Sequence, residues 1–299
     1  MEKENFLSSA QSICKICENM PLATFSTFKI GGNAELAAFP ENERELCDIY
    51  SLAKKHGIKT RVIGNASNIL FSSDGVKGLL IFTEKLCDIT VSENTVHALC
   101  GAKLSSLCLK ALDRELSGAE FAFGIPGTIG GAVYMNAGAY GGEISNILSS
   151  SLCFDTEKEE LVRISLDEHA FGYRKSILQE GKLIALSSSF TLCKGKREPI
   201  SEKMKEYAQK RRTSQPLDLP NAGSIFKRPK EGFAGKYIED AGLKGFTVGG
   251  AQISTKHAGF IVNVGNASSG DVLNLIEKTK NEVFRKFGVM LETEIIYIE

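Results

Sequence analysis

Residues 124–142 read GIPGTIGGAVYMNAGAYGG, and seven of the nineteen are glycine. Glycine admits φ > 0 and lets another group approach the main chain closely. So dense a run costs chain entropy that an ordinary core segment would not carry. The residues between the glycines include Ile125, Ile129, Ala132 and Val133, unlike a flexible Gly/Ser linker. Two readings fit. One is a buried nest of backbone N–H groups holding an anion, such as the pyrophosphate of a dinucleotide. The other is a tight packing junction.

Outward from this stretch, the chain of 299 residues is long enough for two domains and a third small lobe. Hydrophobic residues make up 42% and support a sizeable core. Lys plus Arg equals Asp plus Glu at 36 each, so no global field attracts nucleic acid or an acidic membrane. No apolar run reaches the roughly 20 residues that span a bilayer. The first residues, MEKENFLSSAQ, are polar and unlike a secretory signal. These features predict a soluble, cytoplasmic protein, and the lack of a long apolar seam predicts a monomer. Of eight cysteines, Cys47, Cys87, Cys100, Cys108, Cys153 and Cys193 stand singly and read as small reduced hydrophobes. Cys14 and Cys17 form one CxxC without the second pair a zinc site needs, so no metal is expected.

The periodicity predicts helices over 1–20, 41–56, 103–116, 200–212, 235–241 and 271–287. In the last, Val272, Leu275, Ile276, Thr279, Val283 and Phe284 keep the helical period, Ser268 or Ser269 caps the start and Gly288 ends it. Strands are expected at 59–63, 78–83, 89–91, 96–100, 149–154, 161–164, 183–192, 247–253, 259–264 and 290–298. Ser165-Leu-Asp-Glu168 reads as a capping box opening a short helix that ends at Gly172. The predicted organisation is an N-terminal helical segment (1–26), a first domain at 27–193 with lobes 27–86 and 87–193, and a second domain at 194–299.

The sequence carries no GxGxxG, no GxxxxGK[ST], no HExxH and no GxSxG. Glycine turns are nevertheless plentiful, at Gly31–Gly32, Gly64–Asn68 and Gly124–Gly142. Together they could wrap one extended, doubly charged ligand, a demand that a flavin dinucleotide meets.

Five motifs, VIGNASNILFSSDGVKG, IPGTIGGAVYMNAGAYGGEI, FGYRKS, NAGSIFKRP and the terminal LETEI, occur in the order and spacing of the UDP-N-acetylenolpyruvoylglucosamine reductase family. The resemblance runs from Thr27 to Ile298 and is nearer to the shorter subtype that lacks an extra tyrosine-bearing loop. It implies an α+β fold, with FAD bound noncovalently between two N-terminal lobes of the vanillyl-alcohol-oxidase (PCMH) type and a C-terminal α+β substrate-binding domain. It implies reduction of the flavin by NADPH, then reduction of UDP-N-acetylglucosamine enolpyruvate to UDP-N-acetylmuramate, in peptidoglycan precursor synthesis. A flavin-dependent oxidase of the same superfamily would not explain NAGSIFKRP or LETEI. A nucleotide-sugar-binding regulator without chemistry would not need its three catalytic positions.

The resemblance assigns FAD contacts to Gly64, Asn65, Ala66, Ser67, Asn68, Ile69 and Leu70, and to Pro126, Gly127, Gly130, Gly131, Asn136 and Gly138. It matches Ser224 to the proton donor, and Arg174 and Glu294 to the other two catalytic positions. A hydroxyl is a weak acid, but the enolate of a carboxylate is a very strong base, so the pairing is sensible. Arg174 can offer a planar fork of donors to the carboxylate. Strand alternation places Glu292 and Glu294 on one face, so only the family match selects Glu294. Lys244 matches the position that meets the diphosphate, and Tyr173, Lys227, Arg228 and His257 are further substrate candidates. Ala66, Arg228 and Thr293 depart from the family's frequent glycine, asparagine and proline. A methyl group at Ala66 could narrow the phosphate turn.

Overall fold

The computed structural model describes residues 2–299. They form two compact units that interleave in sequence. The first takes the chain up to Glu18, then Leu36–Asn65 and Gly78–Lys210. The second takes Asn19–Glu35, Ala66–Lys77 and Arg211–Glu299.

The first unit holds an antiparallel five-stranded sheet ordered Glu160–Ser165, Leu148–Asp155, Leu183–Thr191, Thr95–Leu99 and Ile89–Ser92. The helix Leu104–Asp113 buries Leu104, Leu107, Cys108, Ala111 and Leu112, the face its periodicity predicts. Helix Glu43–Lys55 starts where the Asn42 side chain accepts from the Glu45 amide. Its acidic first turn and basic last turn suit the helix dipole. It buries Leu46, Ile49 and Ala53 in a core shared with Leu79 and Ile81. Strands Thr60–Ile63 and Val76–Phe82 pair in parallel, with Ile63 opposite Phe82.

The second unit holds an antiparallel sheet ordered Asn221–Ser224, Phe260–Asn263, Ala251–Ile253 and Thr247–Val248. Helix Ser269–Phe287 packs Val272, Leu275, Ile276 and Val283 into its core. Ser268 caps that helix, reciprocated by Asp271, and Gly288 closes it at φ +69°. Strand Ile296–Ile298 runs parallel to Ile69–Phe71. None of the described helices is long and apolar enough to cross a membrane.

Several expectations need correction. The predicted helix over 1–20 stops at Ala10, and Lys15–Pro21 is a strand beside Asn33–Phe39. A single apolar turn around Phe6 and Ala10 is all that α-periodicity buries there, and sheet pairing overrides weak helix propensity. The Ser165 box does not cap a helix. Glu168 Oε2 accepts from both Ser165 N (2.8 Å) and Ser165 Oγ (2.6 Å), and only a 3₁₀ turn at Asp167–His169 forms. The strand predicted at 247–253 is a hairpin, because Gly249 turns the chain at φ +53°. The terminal strand is confined to Ile296–Ile298, so the alternation argument for Glu292 and Glu294 lapses. Phe284 is 54% exposed despite its helical register, and Cys87 and Cys193 are exposed rather than core residues.

Candidate active site

In the first unit the glycine-rich stretch resolves into three pieces. Thr128 bridges to Lys103 in antiparallel fashion and begins the short helix Ile129–Tyr134. Asn136 follows at φ +42°. Then Gly138–Ala139 and Gly142–Glu143 pair as a hairpin whose tip, Tyr140 and Gly141, lies wholly in the left-handed region.

Its glycines divide between the two readings. A Cβ at Gly142 would stand 2.6 Å from the Phe121 ring, and one at Gly130 would stand 3.0 Å from Cys100 Cβ. Those two are packing glycines. At Gly127 and Gly131 a Cβ would make only ordinary van der Waals contact, at 3.6 and 3.5 Å, so neither is required by packing.

The loop after Thr60–Ile63 comes against the same place. Asn65 Nδ2 donates to Pro126 O at 2.6 Å, and a Cβ on Gly64 would run into Thr128 Oγ1. Among the described residues, the main-chain amides of Asn65, Gly127 and Thr128 find no acceptor. Main-chain donors left open on two loops joined by the Asn65–Pro126 bond suit an anion such as a pyrophosphate, so the residues present fit the expected dinucleotide. Thr128 lies outside the expected contact residues, although a threonine directly before an apolar helical turn is itself a capping signal.

The Asn136 side chain is 1% exposed and committed within the unit. Its Oδ1 accepts from Ser145 N at 3.0 Å and its Nδ2 donates to Gly172 O at 3.1 Å. Gly172 and Lys175 exchange two backbone hydrogen bonds of 3.1 Å, which puts Tyr173 and Arg174 at the tip of a tight turn. Arg174 has φ +55°, donates through Nη2 to Gly138 O at 3.2 Å, and places its guanidinium carbon 5.0 Å from the Tyr173 ring centroid.

The second unit gathers Asn68, Ser224 and Glu294. Glu294 N donates to Ile225 O at 2.7 Å, which sets Glu294 beside the strand end that carries Ser224. Asn68 Nδ2 donates to Glu294 O at 3.1 Å, and Asn68 O accepts from Ile296 N at 3.0 Å. Gly223 takes φ +77°, and a Cβ there would meet only Ser67 O, at 4.0 Å, so space lies open before Ser224. Ser224 and Glu294 are half-buried. Glu292 is exposed and lies 3.6 Å from Lys227 Nζ. Leu70 is fully buried in this unit's core, whereas Ala66, 3% exposed, stands at φ +46°.

The remaining candidates fall into separate groups of the second unit. Lys244 Nζ sits 2.9 Å from Glu239 Oε1. His257 Nδ1 accepts from Gly259 N at 3.1 Å, and its ring meets Phe260 edge-on at 4.9 Å. Burial lowers the His257 pKa, and Lys244 lowers it further. Arg228 lies over the Phe233 ring at 4.5 Å. Among the described residues no His, Cys, Asp and Glu side chains gather as a metal site. Cys14 is buried, which raises its thiol pKa to about 11, opposite to a reactive cysteine.

Known proteins supply the comparison. The family model for the C-terminal domain of UDP-N-acetylenolpyruvoylglucosamine reductase matches residues 215–298, and that for an FAD binding domain matches residues 34–165. The UDP-N-acetylenolpyruvoylglucosamine reductase of Caldicellulosiruptor saccharolyticus is 50% identical over 94% of this chain and 91% of its own. That of Caldicellulosiruptor bescii is 46% identical over 100% of this chain and 95% of its own. The crystal structure of the Thermus caldophilus reductase superposes with a TM-score of 0.80 at 32% identity, covering 96% of this chain and 99% of that one.

Proposed function

The chain belongs to the UDP-N-acetylenolpyruvoylglucosamine reductase family, and from that premise we propose the parts its own residues take in the reaction. The enzyme reduces the enolpyruvyl ether of UDP-N-acetylglucosamine enolpyruvate with NADPH, in peptidoglycan precursor synthesis. FAD, which Gly64, Asn65, Gly127 and Thr128 would hold, would supply the hydride-transfer chemistry that links NADPH to the vinyl ether.

Hydride arrival at C3 leaves C2 electron-rich, with charge delocalised into the neighbouring carboxylate. Ser224 gives its hydroxyl proton to C2, completing the reduction of the double bond. Arg174 offers its guanidinium to the carboxylate and steadies the growing charge. Glu294 orders the surroundings of the Ser224 hydroxyl. Lys244 meets the diphosphate, with Glu239 holding it in place. Gly64, Asn65, Gly127 and Thr128 cradle the pyrophosphate of FAD. The protein works as a cytoplasmic monomer.

The observation that supports this reading is the hydrogen bond from Glu294 N to Ile225 O at 2.7 Å, which brings the main chain of Glu294 next to the residue that follows Ser224. The test is an anaerobic titration. The purified protein should be yellow, and acid should release its flavin. NADPH should bleach it, and UDP-N-acetylglucosamine enolpyruvate should restore the colour. Bleaching without substrate-driven reoxidation would defeat the reading.

A further inference from the structure

The turn that presents Arg174 is held by side chains outside the group that touches substrate. A left-handed φ of +55° costs a non-glycine residue about 1 kcal/mol or more, and it persists only where surroundings enforce it. The enforcing contacts converge on Tyr134 O. Tyr134 ends the helix Ile129–Tyr134, so its carbonyl is one of those a helix leaves without an internal donor. It accepts from Ser176 Oγ at 2.8 Å and from Gln179 Nε2 at 2.9 Å. The same Gln179 nitrogen donates to Arg174 O at 2.9 Å. Two carbonyls on one amide nitrogen fix which way the amide points. Ser176 is 1% exposed, so its hydroxyl has little water to turn to instead.

We propose that Ser176 and Gln179 are positioning residues that clamp the main chain of Arg174 to the end of the glycine-rich helix and so aim its guanidinium. The clamp acts through Arg174 alone and rests on the carboxylate-binding role given to Arg174 above. It also ties that arginine to the very stretch that cradles the cofactor.

The test uses the FAD-loaded enzyme, anaerobic stopped flow for each half-reaction, and the variants Ser176→Ala, Gln179→Leu, their combination, and each in an Arg174→Ala background. In the combined variant, flavin content and the rate of reduction by NADPH should change by less than about twofold. Substrate-driven reoxidation should slow about tenfold, equivalent to about 1.4 kcal/mol. In the Arg174→Ala background the same pair should change reoxidation by less than about twofold, since the clamp has nothing left to aim. A full additional tenfold loss there, an equal loss in both half-reactions, or no slowing at all would overturn the proposal. Arg174→Ala leaving reoxidation intact would remove the role of Arg174 and the clamp with it. A fall caused by general loosening would show in Gln179→Leu as a lower Tm with both half-reactions slowed together.

Discussion

His169 offers a stability test whose size can be worked from its surroundings. The residue is 0% exposed. Its Nε2 lies 3.0 Å from Ser151 Oγ, which lies 2.8 Å from Ser188 Oγ. The ring stacks on Phe171 at 4.9 Å, and Nδ1 is buried without a partner. A neutral ring that donates from Nε2 leaves only a lone pair at Nδ1. Protonation would add a buried N–H with no acceptor, and a charge as well. Burial accordingly lowers the pKa from 6.5 to about 4, with Glu168 opposing weakly. Glu168 is itself held below the usual carboxylate range by hydrogen bonds from the Ser165 side chain and main chain. The unfolded chain takes up the proton near 6.5 and the folded chain only near 4. Between those values the unfolded state binds more protons, so stability falls as pH falls. The contribution is whole above about pH 6.5 and is lost progressively towards pH 4. At 1.36 kcal/mol per pH unit the loss amounts to about 3 kcal/mol. Urea unfolding of the wild type and of His169→Gln at pH 7, 6, 5 and 4.5 measures it. The Gln amide can still donate to Ser151 but does not titrate, so between pH 7 and 4.5 the gap between the two proteins should shrink by about 2.4 kcal/mol. Parallel curves would refute the reasoning.

Other consequences are open to the same style of measurement. Ser224→Ala should leave reduction by NADPH within about twofold and slow substrate-driven reoxidation by about 100-fold or more, as expected for an interaction made only in the second transition state. Glu294→Gln should slow the same half-reaction, whereas Glu292→Gln, at an exposed pair with Lys227, should alter stability by less than about 0.5 kcal/mol in urea titrations. Gly64→Ala would drive a methyl group into Thr128 Oγ1, so the flavin-to-protein ratio after gel filtration should drop. Ala66→Gly relieves a left-handed alanine by about 1 kcal/mol but forfeits about 0.8 kcal/mol of buried methyl and loosens the unfolded chain, so urea unfolding of the apoprotein should shift by less than about 1 kcal/mol.

Legibility followed the range over which the physics acts. Helices Glu43–Lys55 and Ser269–Phe287 were readable because cap, apolar stripe and stop signal lie within one local stretch, and Leu104–Asp113, which has no side-chain cap, from its apolar stripe alone. Lys15–Pro21 was not, since its strand character comes from Asn33–Phe39 beside it. The interleaving of the units was hidden for the same reason. Ala66–Lys77 belongs with Arg211–Glu299 because Ile69–Phe71 pairs with Ile296–Ile298, a contact no local pattern announces. The candidate site shows the same divide. A glycine-rich turn with an open face could be suspected from composition. The adjacency of Ser224 and Glu294 depends on a backbone bond between distant segments, and only the order of family motifs hinted at it. Ser176 closes the FGYRKS motif but nothing local marked it as a clamp, and Gln179 carried no signal, because a serine and a glutamine after an arginine turn suggest solvent as readily as a clamp.

Left-handed backbone separates a functional turn from an ordinary one only when the holding contacts are examined. Glu93 and Glu159 also have positive φ, at 53° and 58°. Both sit between paired strands, Ile89–Ser92 with Thr95–Leu99 and Leu148–Asp155 with Glu160–Ser165. There the hairpin enforces the turn, and a glycine would suit the backbone at the cost of chain stiffness and, at Glu159, of a part-exposed ion pair with Lys54 at 3.0 Å. Arg174 differs. One pair of backbone bonds, Gly172 with Lys175, closes its turn, and further restraint comes from Asn136 on a neighbouring segment and from Ser176 and Gln179 just downstream. Glycine at 174 would suit the backbone better, but it would carry no guanidinium. The strain is retained where the side chain is needed, and the polar groups that oppose it are spent on a backbone position rather than on substrate. That division of labour makes the clamp separable from the chemistry by the Arg174→Ala background.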